Sequence, residues 1–163
     1  MIIQPFEEHH SEQLIRLILP IQQIEFNVPI TIDDQPDLLN VLSVYRKGSG
    51  NFWCAVAEEQ IVGSIGLIDI GNNQGAIRKM FVHPDYRGRE KRTAQRLLDE
   101  LTQWCEDHQI HEVLLGTIDT MLAAQKFYIR NGFMPVEKLA LPVSFPLMKV
   151  DNLFFRKALL LHG

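Results

Sequence analysis

Five cationic side chains, Arg87, Arg89, Lys91, Arg92 and Arg96, fall within ten residues of the stretch "DYRGREKRTAQRLLDEL", residues 85–101, where an apolar helical pattern begins. The start of a helix exposes backbone N–H groups that have no partner in the helix, and it carries about half a positive charge. Further cations are repelled there unless an anion joins them, and such a helix end is a ready site for a diphosphate. The chemistry these residues suit is the gripping of a polyphosphate. A solvated basic face has the same composition. The order strand, His83-Pro84, Gly88 turn, basic turn, amphipathic helix favours the gripping turn.

Other reactive types are sparse. Cys54 and Cys105 are far apart and have no Cys-x-x-Cys companion, so both read as buried free thiols. The six histidines show no metal spacing. His9 and His10 are adjacent, and adjacent helical positions do not face one another. No metal site is expected. Tyr128, next to Phe127, reads from spacing alone as a packed aromatic.

The elements that must position the basic turn follow from periodicity. "MIIQPF" reads as a first strand. Leu14, Leu17, Ile18 and Ile21 recur at helical spacing from near Glu8, and Pro20 must end or kink that helix. Asp34 or Asp37 suits the cap of a second helix, "PDLLNVLSVYRKG", ended by Gly48 and Gly50. Residues 51–82 read as a three-strand antiparallel meander, turning at Glu58-Glu59-Gln60 and Gly71-Asn72-Asn73. Ala94, Leu97, Leu98, Leu101 and Cys105 mark one helical face. "HEVLLGT" is a short apolar strand. "DTMLAAQKFYIRNGF" is a helix with Asp119 at its N-cap and an Asn131-Gly132 stop. "FMPVEK" and "NLFFRKALLL" close the chain around a proline-rich connection. The class is α+β, with a mixed, mostly antiparallel sheet of about six to seven strands and about four helices. The unit from Arg78 to Gly116 is a right-handed parallel crossover.

Length and composition bound the rest. At 163 residues, with 46% hydrophobic and 22% charged residues, the chain suits a single soluble domain over residues 1–163. No apolar run reaches the roughly 20 residues that span a bilayer. The N-terminus lacks a basic region followed by an apolar stretch, so a cytoplasmic protein without a signal peptide is expected. The net charge of −4 argues against nonspecific nucleic-acid binding and makes a local basic cluster more telling.

Three segments taken in order, "IRKMFVHPDYRGREKRTAQRLLDEL", "VLLGT" and "AAQKFYIRNGF", resemble the GNAT superfamily of acyl-CoA-dependent N-acyltransferases. The order of elements matches over essentially the whole chain. The resemblance implies an acetyl-CoA-dependent N-acetyltransferase, with acetyl-CoA as cosubstrate and a small-molecule or peptide amine as acceptor. From the charge and the lack of a long apolar run, no nucleic-acid or membrane partner is expected, and exposed edge strands leave room for a homodimer. The family's pyrophosphate signature falls on Arg89-Glu90-Lys91-Arg92-Thr93-Ala94, with Arg87 and Gly88 just before it. Arg92 stands where the family has glycine, a departure that bears on how closely the backbone can approach phosphates. Met80, Phe81 and Val82 would bond the pantetheine chain through their backbones, with the N–H of Phe81 or Val82 as donor to the thioester oxygen. Tyr128 takes the place of the proton donor to the leaving thiolate. The stretch "NQGAIRKM" has no carboxylate where many relatives keep a general base. Asp69 and Asp119 are the nearest substitutes by topology, each with a plainer reading as turn or cap, and deprotonation through ordered water fits as well. Glu25 and Tyr45 lie in the acceptor-side helices. Glu25, Asp33, Asp34 and Asp37 hint at a cationic acceptor. A noncatalytic acyl-CoA-binding module is the alternative, motivated by Arg92 and the missing carboxylate.

Overall fold

Short strands with inward-facing apolar residues and tight polar turns build most of the molecule. The structure is a computed structural model describing residues 1–159. Strand β1 (Ile2–Pro5) is followed by helices α1 (Ser11–Pro20) and α2 (Val41–Tyr45), then by strands β2 (Asn51–Ala57), β3 (Gln60–Gly71) and β4 (Gln74–Val82). Helix α3 (Thr93–Asp107), strand β5 (Glu112–Thr117), helix α4 (Leu122–Arg130) and strands β6 (Met134–Val136) and β7 (Leu153–Ala158) complete it. The sheet order is β1-β2-β3-β4-β5-β7-β6, and only β4 and β5 run parallel. The expected last strand reached Leu160 and Leu161, which lie outside the described residues. No helix among the described residues is long and apolar enough to cross a membrane.

Both hairpins of the meander turn on pairs of left-handed residues, Glu58 with Glu59 and Asn72 with Asn73. That geometry matches the right-handed twist of the flanking strands. On one face of the sheet α3 buries Leu97, Leu98, Leu101 and Cys105 against Trp53, Ile65 and Leu67. Each such side chain stabilises the fold by about 1.5–3 kcal/mol. On the other face α1 and α2 bury Leu14, Leu17, Ile18 and Tyr45 against Phe52. Cys54 and Cys105 are both buried, and burial pushes each thiol up to about 12.

Three local expectations are corrected, and one, at Pro20, is met. The α-helix does end at Pro20, as expected there. Pro20 has no N–H for the Arg16 carbonyl and its ring crowds that group, and the chain widens into a π turn, Ile21–Glu25, closed by Phe26 N–H on the Ile21 carbonyl at 3.0 Å. The second helix is broken into a 3₁₀ turn, Pro36–Leu39, and the short α2, with Asn40 at the N-cap. Asp34 instead accepts the Thr31 N–H at 2.9 Å, and Asp37 is buried. Asp119 is no cap either: α4 starts at Leu122 behind Met121. His9 and His10 do meet, with ring centroids 4.1 Å apart in a 3₁₀ turn.

Asp37 turned inward because it has partners there. It accepts the Tyr45 hydroxyl at 2.6 Å and lies 3.6 Å from the Lys79 ammonium, both themselves buried. Burial pulls the Lys79 pKa down while Asp37 pulls it back up. Lys79 is left-handed (φ 53), and there one residue of β3, Ile65, faces two of β4. This β-bulge costs about 1–2 kcal/mol in a non-glycine residue. The ion pair and the Ser64 hydroxyl, which donates to the Lys79 carbonyl at 2.7 Å, hold it in place. Asp37→Ala leaves the Lys79 ammonium buried without its partner and is expected to cost about 3 kcal/mol, measured by urea denaturation. A loss below about 1 kcal/mol would mean that the pair does not hold the bulge.

Candidate functional site

The bulge redirects β4 just where it leaves its parallel neighbour. β4 and β5 pair from Gln74 with Glu112 to Ile77 with Leu115, and no further. Beyond that point the strands part, and a cleft of about 830 Å³ opens between them. Met80, Phe81 and Val82 line it from β4, Gly116 and Thr117 from β5, and Ala124, Phe127 and Tyr128 from α4. The His83 N–H donates to the Val62 carbonyl of β3 at 2.8 Å. Because peptide groups alternate along a strand, the Phe81 N–H also faces β3, whereas those of Met80 and Val82 face the cleft. The Val82 carbonyl on that side accepts Arg87 Nε at 2.9 Å.

At one end the cleft meets the start of α3. The first intrahelical bond runs from the Arg96 N–H to the Arg92 carbonyl, so the Thr93, Ala94 and Gln95 N–H groups have no helical partner. Those of Gly88, Arg89, Glu90 and Lys91 donate to no acceptor among the described residues. Arg92 is the N-cap and is itself left-handed, φ 54 and ψ 26. The residue that replaces the expected glycine therefore adopts the backbone conformation in which glycine is at ease. Gly88, at φ 103, supplies the other left-handed step of the turn.

The basic cluster divides. Arg89 and Arg92 line the cleft, together with Gly88, Thr93 and Ala94. Arg87 lines it too, but its guanidinium forks onto the Glu25 carboxylate at 2.5 and 2.7 Å and holds that carboxyl below the usual range. The Lys91 ammonium stands 5.4 Å from the centre of the Tyr86 ring, and Arg96 donates to the Met1 carbonyl. Glu90 and Lys91 are not among the residues lining the cleft.

At the other end lies Tyr128, 7% exposed. Its ring packs on Phe127, Phe133 and Phe155. Its hydroxyl has no hydrogen-bond partner, yet no fully buried side-chain polar atom is left unpaired among the described residues. The hydroxyl therefore opens into the cleft. Burial first, and then the nearby Asp151, push the phenol well above its ordinary value, so it holds its proton at neutral pH.

Asp151, in the connection just before β7, was not singled out by sequence. It lines the cleft, and a Cβ on Gly116 would stand 2.6 Å from its Oδ2. A side chain at that point of β5 would push this carboxylate from its place. Burial raises its pKa to about 6 against the opposing pull of Arg78 and Lys79. The earlier carboxylate candidates are engaged or outside the cleft. Asp69 accepts the Ser49 and Gly71 N–H groups, both at 2.9 Å, as a turn residue. Asp119 is exposed, Glu25 is paired with Arg87, and Tyr45 is buried on Asp37. The available signals for this end of the site were an acid placed just before a β-rich segment and two adjacent cations, Arg78 and Lys79, inside an apolar strand.

The chain resembles known proteins over most of its length. The profile of the Acetyltransferase (GNAT) family matches residues 15–133. An acetyltransferase of the GNAT family from Staphylococcus aureus Mu50 is 43% identical, with a TM-score of 0.93 over 97% of this chain and 98% of that one. An acetyltransferase from Streptococcus agalactiae 2603 is 28% identical, also with a TM-score of 0.93 and the same coverage. N-acetylaspartate synthetase of Danio rerio is 30% identical over 125 residues, 74% of this chain and 43% of the relative. The chain spans less than half the length of the curated relatives it matches.

Proposed function

Since the chain belongs to the acetyltransferase (GNAT) family, we propose that it moves an acetyl group from acetyl-CoA to a primary amine of a small molecule or peptide, by direct attack in a ternary complex. The observation that carries this reading is the parting of β4 from β5 beyond Ile77 and Leu115, which opens onto the unpaired amides that begin α3. The donor set fits the cosubstrate. Backbone N–H groups from Gly88 to Lys91 and from Thr93 to Gln95, with Arg89 and Arg92, suit a pyrophosphate. The cleft-facing N–H groups of Met80 and Val82 suit the pantetheine amides and the thioester oxygen. Acetyl-CoA, when bound, supplies the activated carbonyl carbon and a thiolate leaving group.

The chain's own groups handle the protons. An amine nitrogen becomes far more acidic as it bonds to a carbonyl carbon, and the Asp151 carboxylate is the group in the cleft that takes that proton. Tyr128 gives its proton to the departing sulfur. Neither cysteine fits a covalent acyl carrier, because both thiols are buried and protonated at neutral pH. The left-handed Arg92 and the cleft carboxylate of Asp151 both favour this reading over a noncatalytic binding module. A homodimer across the β6 edge is supported by the 67%-exposed Met134 and the fully exposed Leu139; a light-scattering mass of one chain would remove that part.

The test is thiol release from acetyl-CoA against a panel of amines, amino acids and peptides. Release with at least one class supports the reading, and inertness against the whole panel despite acetyl-CoA binding would end it. Arg92 gives a second expected result. Arg92→Gly keeps the backbone turn and removes the guanidinium. It should hold stability within about 1 kcal/mol and weaken acetyl-CoA binding about tenfold, the loss of one charge-assisted hydrogen bond. Unchanged binding by calorimetry would take Arg92 out of the phosphate site.

A further inference from the structure

The end of the cleft beside Tyr128 carries one cation that forms no ion pair among the described residues. Arg78 lies on β4, next to the Lys79 bulge, half-buried and lining the cleft. Its guanidinium has no carboxylate partner among the described residues. Its one side-chain hydrogen bond goes to the Met148 thioether, a poor acceptor. A guanidinium presents five N–H donors in a fork that matches a carboxylate, and leaving it half-buried against sulfur forgoes most of that bonding.

The neighbouring charges are settled. Lys79 is paired with Asp37, which also takes the Tyr45 hydroxyl. Glu25, on the rim, is paired with Arg87. The acidic residues that seemed to favour a cationic acceptor are therefore neutralised or, like Asp33 and Asp34, stand exposed on the outside. What remains beside Tyr128, away from the Arg89 and Arg92 end, is one carboxylate, Asp151, and one cation without an ion pair among the described residues, Arg78. The two are close enough to interact electrostatically but form no ion pair.

We infer that the acceptor is an amine that itself bears a carboxylate, with the carboxylate held by Arg78 and the amine directed toward Asp151. This rests on the acyl-transfer reading above and narrows it to a substrate class. Arg78 then acts on selection: an amine without the anionic group leaves the guanidinium desolvated and unpaired, and a site built to bond a missing polar group rejects the analogue strongly.

The experiment compares α-, β- and γ-amino acids, each beside the amine left by removing its carboxyl group, at equal concentrations of neutral amine. Thiol release from acetyl-CoA is the readout. The wild-type protein should prefer the carboxylate-bearing member of at least one pair by about 10²-fold in kcat/KM. Arg78→Gln should collapse that ratio toward one, mainly through KM, and Arg78→Lys should restore part of it. Calorimetric binding of acetyl-CoA reports whether each variant is folded; should a variant fail to fold, the wild-type ratio alone decides. Equal or better use of the decarboxylated amines, or a ratio that survives Arg78→Gln, overturns the inference while leaving acyl transfer intact. Absence of thiol release with every member of every pair overturns both.

Discussion

Asp151→Asn is expected to lower kcat/KM for amine acetylation by about 10²–10⁴-fold, the range for loss of a positioned proton acceptor. The wild-type profile should rise with pH through an apparent pKa of about 6, the value to which burial raises this carboxyl. The sign follows from the charged form being the working one. Below about 6 the carboxyl is protonated and cannot take a proton; above it the carboxylate is available. In the Asn variant that limb should vanish from the residual activity. Stability should move the other way. A carboxyl raised from its ordinary value near 3.9 favours the folded state fully below about 4, and that contribution is lost as pH climbs to about 6. At neutral pH the native site therefore holds a charge that the unfolded chain holds more easily. Asp151→Asn removes that penalty and should be no less stable than the wild type at pH 7. A pH–rate profile that keeps its limb near 6 in the variant would remove Asp151 from proton transfer.

Tyr128→Phe should lower kcat by about 10²–10³-fold while leaving acetyl-CoA affinity within about threefold. The substitution keeps the ring that packs on Phe127, Phe133 and Phe155. It deletes a hydroxyl that bonds to no group among the described residues, so no buried partner there is orphaned and the fold should lose less than about 1 kcal/mol. The phenol is held well above its ordinary pKa by burial and by Asp151, which suits an acid that must stay protonated until a thiolate appears beside it. A packed aromatic would behave otherwise: the Phe variant would turn over at the native rate.

Much of this architecture could be read from residue order because it rests on local signals. The periodic apolar face of α3, the alternating meander and the Asn131-Gly132 stop are each decided within a few neighbouring residues. The basic turn that leads into α3 was legible for the same reason. What escaped depends on groups distant in the chain. Asp37 looks like a helix cap until Lys79 and Tyr45 draw it inward. Asp119 offers a cap that the chain ignores, since its peptide N–H is bonded to Asn152 and α4 begins later. Asp151 sits in a connection without periodicity, and its neighbours Gly116, Arg78 and Lys79 come from two other strands. Arg92 shows the converse. Its side chain departs from the family pattern while its backbone takes the left-handed geometry that glycine favours, and residue type alone does not report φ.

The whole account depends on the amides and guanidinium groups at the start of α3 receiving a nucleotide diphosphate. Isothermal titration of acetyl-CoA into the full chain tests this most directly. One saturable site per chain is expected, with affinity that falls as salt rises, because phosphate contacts are screened. No measurable heat at millimolar ligand, or binding indifferent to salt and to Arg92→Gly, would contradict it.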